Sequence, residues 1–378
     1  MELSDLNPFA SDPYADGHHK MDAPATDHRL DAMVQGVLGK PINRPDGPLK
    51  VSGQAPYAAE YNPVGLATGV LVPATIAKGR VTHIDEASVA GIPGVLGVFS
   101  GDRFIRNPAQ GGAGSAPVQP GNAVHYLGQP IALVVAETFE AARDAAMQLV
   151  VRYDEDTDAV FDASKADIER PKAKQIEQGD VDAAIASAHA SVDATYTTPV
   201  QSSAPMEPHA TVAEWDGDKL TIHGAYQMLK YNRAEIADAV GIDAENVRVL
   251  APYVGGGFGS KLGISSEAVA AALAARALKR PVRVAMSRRT VFEATMRRTE
   301  TRQRVRLAVD AGGKLTALAH EARVSNLQDE GFSEPVAAAT HFLYAGENRA
   351  YVHEIARVNL TCAGSVRAPG EAVGMLAL

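Results

Sequence analysis

The sequence is poor in cysteine, in net positive charge and in long apolar runs, and each shortage excludes a class of protein. Cys362 is the single cysteine among 378 residues. It leaves no partner for an internal disulfide and excludes zinc or iron–sulfur sites built from several thiolates of this chain. The longest apolar candidate, Ile131–Ala136 (IALVVA), is far shorter than the ~18 residues of a membrane-spanning helix. We therefore predict no membrane span.

The excess of acidic over basic residues argues against general nucleic-acid binding. The chain has 36 Lys and Arg against 45 Asp and Glu, a formal net charge of −9. The first twenty residues lack the basic and apolar regions of a secretory signal peptide. We therefore expect a cytoplasmic protein, or a periplasmic one if a partner subunit carries it through the export machinery.

The length predicts more than one domain, at about 150 residues per domain. Apolar residues make up 46% of the chain, enough for a sizeable core. Residues 1–45 are polar and interrupted by proline, which predicts a mobile extension in which His18 and His19 bind no specific metal. We place the first folded domain at 46–160 and the second at 161–378.

Hydrophobic periodicity predicts a mixed α+β fold. The glycine- and proline-rich stretch 107–121 predicts a loop. An Asp-Gly-Asp turn predicts a hairpin, and Gly241 and Ser265 or Ser266 are expected to cap helices. The predicted strands are Leu66–Val72, Gly94–Phe99, Ile131–Ala136, Val150–Tyr153, Thr211–Glu214, Leu220–His223, Asn246–Leu250 and Val282–Met286, and the predicted helices are Phe139–Leu149, Asn232–Val240 and Glu267–Leu278.

The glycine-rich segment Val254–Lys261 (VGGGFGSK) is the first candidate site. It follows a predicted strand and precedes a predicted helix, a context in which backbone N–H groups bind anions. It fits neither the P-loop, which has glycine directly before the lysine, nor the dinucleotide fingerprint, which has glycine at both ends of six residues. Taken alone, it is as well explained by a tight turn.

Five segments in order carry a resemblance to a known family. From about Pro41 to Leu378 the chain resembles the molybdopterin-binding large subunit of the xanthine dehydrogenase/aldehyde oxidase family, and is most similar to bacterial periplasmic aldehyde oxidases. The segments are Asp46–Tyr61 (DGPLKVSGQAPYAAEY), Gly128–Ala142 (GQPIALVVAETFEAA), Asp193–Ala210 (DATYTTPVQSSAPMEPHA), Glu245–Leu262 (ENVRVLAPYVGGGFGSKL) and Val366–Leu378 (VRAPGEAVGMLAL).

The resemblance implies a fold and a chemistry. It implies an α/β hammerhead domain over 46–160, followed by the first of two molybdopterin-binding domains. It further implies oxidation of an aldehyde to a carboxylic acid with oxygen from water, on molybdenum–molybdopterin in its cytosine dinucleotide form. Electrons would leave through a small 2Fe-2S subunit and an FAD subunit. The family's catalytic glutamate belongs to the second cofactor domain, so we expect no general base here and no activity from this chain alone.

The resemblance also implies roles for individual residues. Gln227 matches the glutamine that hydrogen-bonds the apical oxo group of molybdenum, and Arg367 matches an arginine that positions substrate. Molybdenum would be held through the pterin, without a side-chain ligand. Leu262 stands where purine-oxidising members carry a glutamate, so we expect an apolar or aromatic aldehyde. Contact with the cofactor is implied for Gln227, Gly256, Gly257, Phe258, Gly259, Arg367 and Ala368.

Other candidates have a structural explanation. We interpret Glu207 and His209 as a buried hydrogen-bonding element, Glu371 as matching no catalytic position, and Cys362 as a packing residue. The span Arg276–Arg306 holds eleven Lys or Arg and two Asp or Glu. It is either a surface for partner subunits or cofactor phosphates, or a solvated face.

One rival hypothesis concerns the whole chain. The alternative to an enzyme subunit is a non-catalytic product of a split or truncated gene that binds partner subunits only.

Overall fold

The computed structural model describes residues 40–119 and 121–378. The chain divides into two compact units, Met1–Ala55 and Pro56–Leu378. The predicted extension and its two histidines lie mostly outside the described residues. The helices are α1 Gly47–Val51, α2 Ala87–Ala90, α3 Phe139–Gln148, α4 Val181–Ala186, α5 Leu229–Val240, α6 Ser266–Leu278, α7 Arg288–Ala294, α8 Thr340–Leu343 and α9 Glu371–Ala377.

Eighteen strands accompany these helices in the described part of the chain, which confirms the prediction of a mixed helix and sheet fold. They are β1 Ala67–Pro73, β2 Gly79–Asp85, β3 Val95–Phe99, β4 Ala123–Val124, β5 Pro130–Ala136, β6 Val150–Glu155, β7 Ile168–Glu169, β8 Ile176–Gln178, β9 Ala190–Thr198, β10 Gln201–Ser202, β11 Ala210–Asp216, β12 Lys219–Gly224, β13 Val247–Leu250, β14 Val282–Ala285, β15 Arg297–Arg298, β16 Thr301–Val309, β17 Leu315–Asn326 and β18 Asn348–Arg357.

The central feature is a seven-stranded sheet in the order β13-β12-β11-β14-β1-β5-β3. Strands from both sides of position 160 share this sheet, because β1 pairs in parallel with β14, with Ala67 opposite Val282. All residues of β5 are buried, as its continuous apolar sequence predicts. A second sheet has the order β7-β18-β17-β16-β9, with β8 also pairing β18, and smaller sheets join β4-β2-β6 and β10-β15.

The helices over the seven-stranded sheet follow the predicted pattern with different ends. Helix α5 ends before Gly241, whose φ of 78° is the left-handed conformation expected there, but it begins three residues earlier than predicted. Helix α6 is buried along most of its length and packs against β11 and β14. Ser265 occupies the predicted N-cap position. The capping hydrogen bond is not formed, because the Ser265 hydroxyl has no hydrogen-bond partner among the described residues.

The predicted loop 107–121 has no helix or strand among its described residues, but much of it lies in the interior. Two of its backbone N–H groups donate to carboxylates: Gly111 donates to Glu235 and Ala116 donates to Asp238, each at 3.0 Å. Buried loops are uncommon because their backbone polar groups need partners. Here α5 supplies those partners.

The second sheet explains the basic span Arg276–Arg306, which the sequence alone presents only as a charged surface. Strand β16 begins within this span, and two of its arginines, Arg304 and Arg306, reach acidic residues of neighbouring elements. Arg304 contacts Asp193 at 2.6 Å, and Arg306 contacts Asp182 at 2.7 Å and Glu321 at 3.2 Å. Basic side chains of the span that donate hydrogen bonds to other described residues are Arg280, Arg283, Arg288, Arg289, Arg297, Arg298, Arg304 and Arg306. Much of the positive charge is therefore already compensated.

Among the described residues, no helix combines the length and the apolar character needed to cross a bilayer.

Candidate functional site

The candidate site lies at one edge of the seven-stranded sheet, where two adjacent parallel strands end. Strands β12 and β13 pair in parallel, with Leu220 opposite Val247. Gln227 follows the carboxyl end of β12, and the glycine-rich loop 254–261 follows the carboxyl end of β13. Because parallel strands present their carboxyl ends at the same edge, this is the usual position of a ligand site in such sheets.

The glycine-rich loop is shaped by close contact with a second loop. Gly256, Phe258 and Gly259 all have positive φ, at 97°, 53° and 107°. A Cβ atom added to Gly259 would overlap the carbonyl oxygen of Ser365. Only glycine permits that approach, so the residue is required at this position by packing as well as by conformation.

The second loop, 365–370, carries the predicted Arg367 and Ala368. The backbone N–H of Arg367 donates to the carbonyl oxygen of Phe258 at 2.8 Å. Ala368 has a φ of 54°, a left-handed conformation that L-residues adopt at an energetic penalty. The structure thus brings together two predicted segments that lie about a hundred residues apart.

Gln227 is fixed beneath the glycine-rich loop by its carbonyl end. Its Oε1 accepts from the backbone N–H groups of Gly259 at 3.1 Å and Lys261 at 3.3 Å. Two N–H donors identify this atom as the oxygen, so the other end of the amide is the Nε2 donor. Within residues 40–119 and 121–378 that donor makes no hydrogen bond, and the Gln227 side chain is exposed.

The site presents several hydrogen-bond donors that the described part of the chain does not satisfy. The backbone N–H groups of Gly256, Gly257 and Phe258 are consecutive and have no acceptor there. The Arg367 guanidinium is exposed and likewise makes no side-chain bond to described residues. Successive unpaired N–H groups and a guanidinium are suited to phosphate or to oxygen-rich ligands. The donor set therefore fits an anionic cofactor.

A buried ion pair between Lys261 and Glu207 holds the glycine-rich loop in place. Lys261 is 0% exposed, and its Nζ donates to the Glu207 carbonyl oxygen at 2.9 Å and to its Oε2 at 3.1 Å. Glu207 also accepts from the N–H groups of Gly255 at 2.7 Å and Ala58 at 3.2 Å. Burial lowers the pKa of Lys261. These contacts of Glu207 all hold neighbouring chain in place, in agreement with its structural interpretation.

His209 and Cys362 are buried and lack the environment of catalytic groups. His209 is bonded through Nε2 to the Ser260 carbonyl oxygen at 2.9 Å. Burial lowers the pKa of His209 to about 4, so the ring is neutral near pH 7 and donates to that carbonyl. Burial raises the pKa of the Cys362 thiol far above its usual range, which suppresses the reactive thiolate.

Glu371 is exposed at the start of α9. Among the described residues, no cluster of three or more His, Cys, Asp or Glu is arranged to hold a metal ion.

The sequence did not reveal the residues that hold the second loop. Arg298 and Glu334 form a buried pair at 2.9 Å whose other contacts are backbone groups of residues 366–370. Both residues lie far from that loop in the chain, so no local spacing connects them with it.

Two protein-family models match different segments of this chain. The model of the molybdopterin cofactor-binding domain matches residues 164–378. The model of the aldehyde oxidase and xanthine dehydrogenase a/b hammerhead domain matches residues 52–157.

Individual relatives agree with these matches. The molybdenum-binding subunit PaoC of the Escherichia coli aldehyde oxidoreductase is 41% identical over 95% of this chain and 49% of its own length. The nicotine 6-hydroxylase large subunit of Paenarthrobacter nicotinovorans is 30% identical over 77% of this chain and 38% of its own. The chain thus spans about half, or less, of the length of these curated relatives.

Solved structures show the same fold. Quinoline 2-oxidoreductase from Pseudomonas putida 86 superposes with a TM-score of 0.79 at 24% identity, covering 89% of this chain and 46% of that one. Aldehyde oxidoreductase from Desulfovibrio gigas superposes with a TM-score of 0.77 at 24% identity, covering 88% and 40%.

Proposed function

The chain belongs to the aldehyde oxidase and xanthine dehydrogenase family, and from this premise we propose that it is the part of a molybdenum hydroxylase that binds molybdopterin and orients an aldehyde. One observation carries the proposal: Gln227, the glycine-rich loop and the Arg367 loop meet at one sheet edge, where the Gln227 Nε2, the N–H groups of residues 256–258 and the Arg367 guanidinium have no partner among the described residues. These are the residues that the resemblance assigned to the cofactor.

The bound molybdenum–molybdopterin would supply the two-electron redox chemistry that converts an aldehyde and water into a carboxylic acid. The chain's own residues bind and orient. The Nε2 of Gln227 and the N–H groups of residues 256–258 would hold the cofactor by donating to its oxygen atoms. The guanidinium of Arg367 binds the substrate oxygen and stabilises negative charge that develops on it. None of these groups removes a proton, and the general base is assigned to a segment outside these 378 residues.

The finer assignments follow the same family. We assign 46–160 to the hammerhead domain and 161–378 to the first cofactor domain, after an extension over 1–45. The cofactor is the cytosine dinucleotide form, and electrons pass to a small 2Fe-2S subunit and an FAD subunit. In support, PaoC and the nicotine hydroxylase relative are named as subunits of larger enzymes. The partner subunits also determine whether the complex resides in the periplasm or the cytoplasm.

The substrate is proposed to be an apolar or aromatic aldehyde. Leu262 is partly buried beside the loop, and its carbonyl oxygen accepts from Asn232 Nδ2 at 2.7 Å. A leucine side chain offers no hydrogen bond to a purine ring. A site that lacks such a partner does not favour a purine over an apolar molecule.

The direct test is isolation of the chain, through an affinity tag, with the subunits that accompany it in its own cell. Molybdenum, iron and flavin are quantified, and the nucleotide released from the pterin is identified. Turnover of an aromatic aldehyde and of xanthine is measured with an artificial electron acceptor. We expect molybdenum with a cytosine nucleotide and faster oxidation of the aldehyde. A complex that holds iron and flavin but no molybdenum would support the scaffold alternative instead.

A further inference from the structure

Arg298 makes an unusual set of contacts for a buried arginine. It lies in β15 and is 3% exposed. Its Nη2 donates to the carbonyl oxygens of Val366, at 2.7 Å, and Arg367. Its Nη1 reaches the carbonyl oxygen of Ala368 at 3.4 Å. One guanidinium therefore holds three consecutive carbonyls of the loop that carries Arg367.

Glu334 completes the arrangement at the other end of the loop. It is 0% exposed, and its Oε1 accepts from Arg298 Nη1 at 2.9 Å and from the backbone N–H of Gly370 at 2.7 Å. The Arg298–Glu334 pair thus contacts both ends of the 366–370 segment. Arg298 donates to the carbonyl oxygens of residues 366–368, and Glu334 accepts from the backbone N–H of Gly370.

Residues 366–370 have a backbone conformation that needs the contacts with Arg298 and Glu334 to hold it. Ala368 and Gly370 have φ values of 54° and 86°. A side chain at Gly370 would overlap the carbonyl oxygen of Pro335. Both backbone polar groups of Arg367 are occupied, the N–H by Phe258 and the carbonyl by Arg298. Its side chain alone is left exposed and unbonded within the described residues.

We propose that the Arg298–Glu334 pair is a positioning pair that holds the 366–370 loop against the glycine-rich loop and so sets where the Arg367 guanidinium stands. The inference rests on the proposed function of Arg367. A buried ion pair adds little stability compared with apolar residues of the same size, because both charges lose their hydration. Its contribution here is to select one loop conformation.

The test compares two neighbouring arginines. Arg298→Lys keeps the positive charge beside Glu334 but cannot span three carbonyls. Arg297→Lys is the matched control, because Arg297 is 4% exposed and also ion-paired, yet its side chain bonds Thr361, Ser325 and Glu300. Hydrogen exchange is measured by mass spectrometry on the full 378-residue chain, in peptides covering 365–371 and in peptides covering β5.

We expect Arg298→Lys to speed exchange in the 365–371 peptides by about tenfold or more while β5 stays protected, since opening of a single loop leaves the core closed. Arg297→Lys should leave the 365–371 peptides unchanged. Equal exchange in Arg298→Lys and wild type, or equal acceleration by both variants, would overturn the inference. If Arg298→Lys fails to fold, Glu334→Gln provides the same test, because it removes the charge and keeps an acceptor for Gly370.

Kinetics of the assembled enzyme connect the loop with Arg367. If Arg367 orients substrate, Arg298→Lys should raise KM for the aldehyde and lower kcat per bound molybdenum, whereas Arg297→Lys should change neither. Unchanged kinetics in an active enzyme would contradict the positioning role even if exchange accelerates. An enzyme that oxidises no aldehyde would refute the proposed function alone, since the exchange experiment needs no turnover.

Discussion

Gln227 binds the loop with one end of its amide and leaves the other end open, so two substitutions separate the two roles. Gln227→Glu keeps Oε1 as the acceptor for the Gly259 and Lys261 N–H groups and replaces only the Nε2 donor. We expect its melting temperature to stay within about 2 °C of wild type. Turnover per bound molybdenum should fall by about 10- to 1,000-fold, the effect of losing one preorganised donor.

Gln227→Ala should show the same kinetic loss together with a lower melting temperature, because the loop loses both of its bonds to Oε1. The measurements are thermal unfolding, molybdenum content and turnover of the assembled enzyme. Near-wild-type turnover per molybdenum in Gln227→Glu would show that the Nε2 donor has no part in the reaction.

Glu267 predicts a pH dependence of stability at the start of α6. Its carboxyl is fully buried, and burial raises its pKa from 4.5 to about 7. The unfolded chain therefore releases this proton at lower pH than the folded chain, and the stabilisation present below pH 4.5 is lost as the pH rises through 7. Glu267→Gln cannot ionise, so between pH 5 and pH 8 it should gain about 2–3 kcal/mol relative to wild type.

Urea unfolding of both proteins at pH 5 and pH 8 measures this difference. The exposed Glu140→Gln, on α3, is the control and should show no comparable change. A Glu267→Gln effect that is the same at both pH values would mean that the carboxyl stays in one protonation state.

At the scale of elements, the close contact between the two loops predicts a difference between two glycines. Gly259 and Gly217 both have positive φ, but a Cβ on Gly259 meets the Ser365 carbonyl, whereas Gly217, in the hairpin turn, has open space around it. Gly217→Ala should cost about 1 kcal/mol, the conformational penalty alone. Gly259→Ala must also separate the loops, so we expect a larger loss of stability and little bound molybdenum.

Thermal unfolding and molybdenum per chain in the assembled enzyme test this comparison. Full molybdenum content in Gly259→Ala would show that the cofactor does not depend on the loop contact.

The elements that can be predicted are those whose signals are local. Helix α5 is predictable because its sequence ends at a glycine suited to the left-handed conformation, and β5 because its run is continuously apolar. Strand β16 is not, because its buried positions include the polar Thr301 and Gln303, so its inward face does not have an apolar sequence. The partners of its arginines, among them Asp193 in β9 and Glu321 in β17, are set by sheet pairing rather than by sequence proximity.

The same division holds for the site. The two loops lie in quoted segments that carry the family resemblance, whereas Gln227 lies outside those segments and is assigned only through the resemblance. Glu207 behind the glycine-rich loop is recognisable as structural, but its contact with Lys261 is not. Arg298 and Glu334 have no local pattern, because their contacts are with backbone groups brought near by the fold.

At the scale of the whole molecule, the candidate site is open on its ligand side. Phe258 is 44% exposed, and the side chains of Gln227 and Arg367 are exposed as well. Cofactor sites normally enclose most of the ligand surface, because burial excludes water and strengthens each hydrogen bond. In the proposed function these donors form one wall of the cofactor site, and the curated relative PaoC is about twice as long as this chain.

The openness of this wall predicts how the 378 residues behave when expressed by themselves. Donors on one side only should retain molybdopterin weakly, and the proposed function places the general base outside these residues, so we expect neither stoichiometric molybdenum nor aldehyde oxidation. Co-expression with the remaining half of a relative such as PaoC and with its partner subunits should restore both, because the second wall then closes over the cofactor. Elemental analysis and aldehyde turnover with an artificial acceptor measure the outcome. Stoichiometric metal and turnover in the lone polypeptide would place the base within it, and Glu207→Gln and Glu371→Gln would then identify which carboxylate acts.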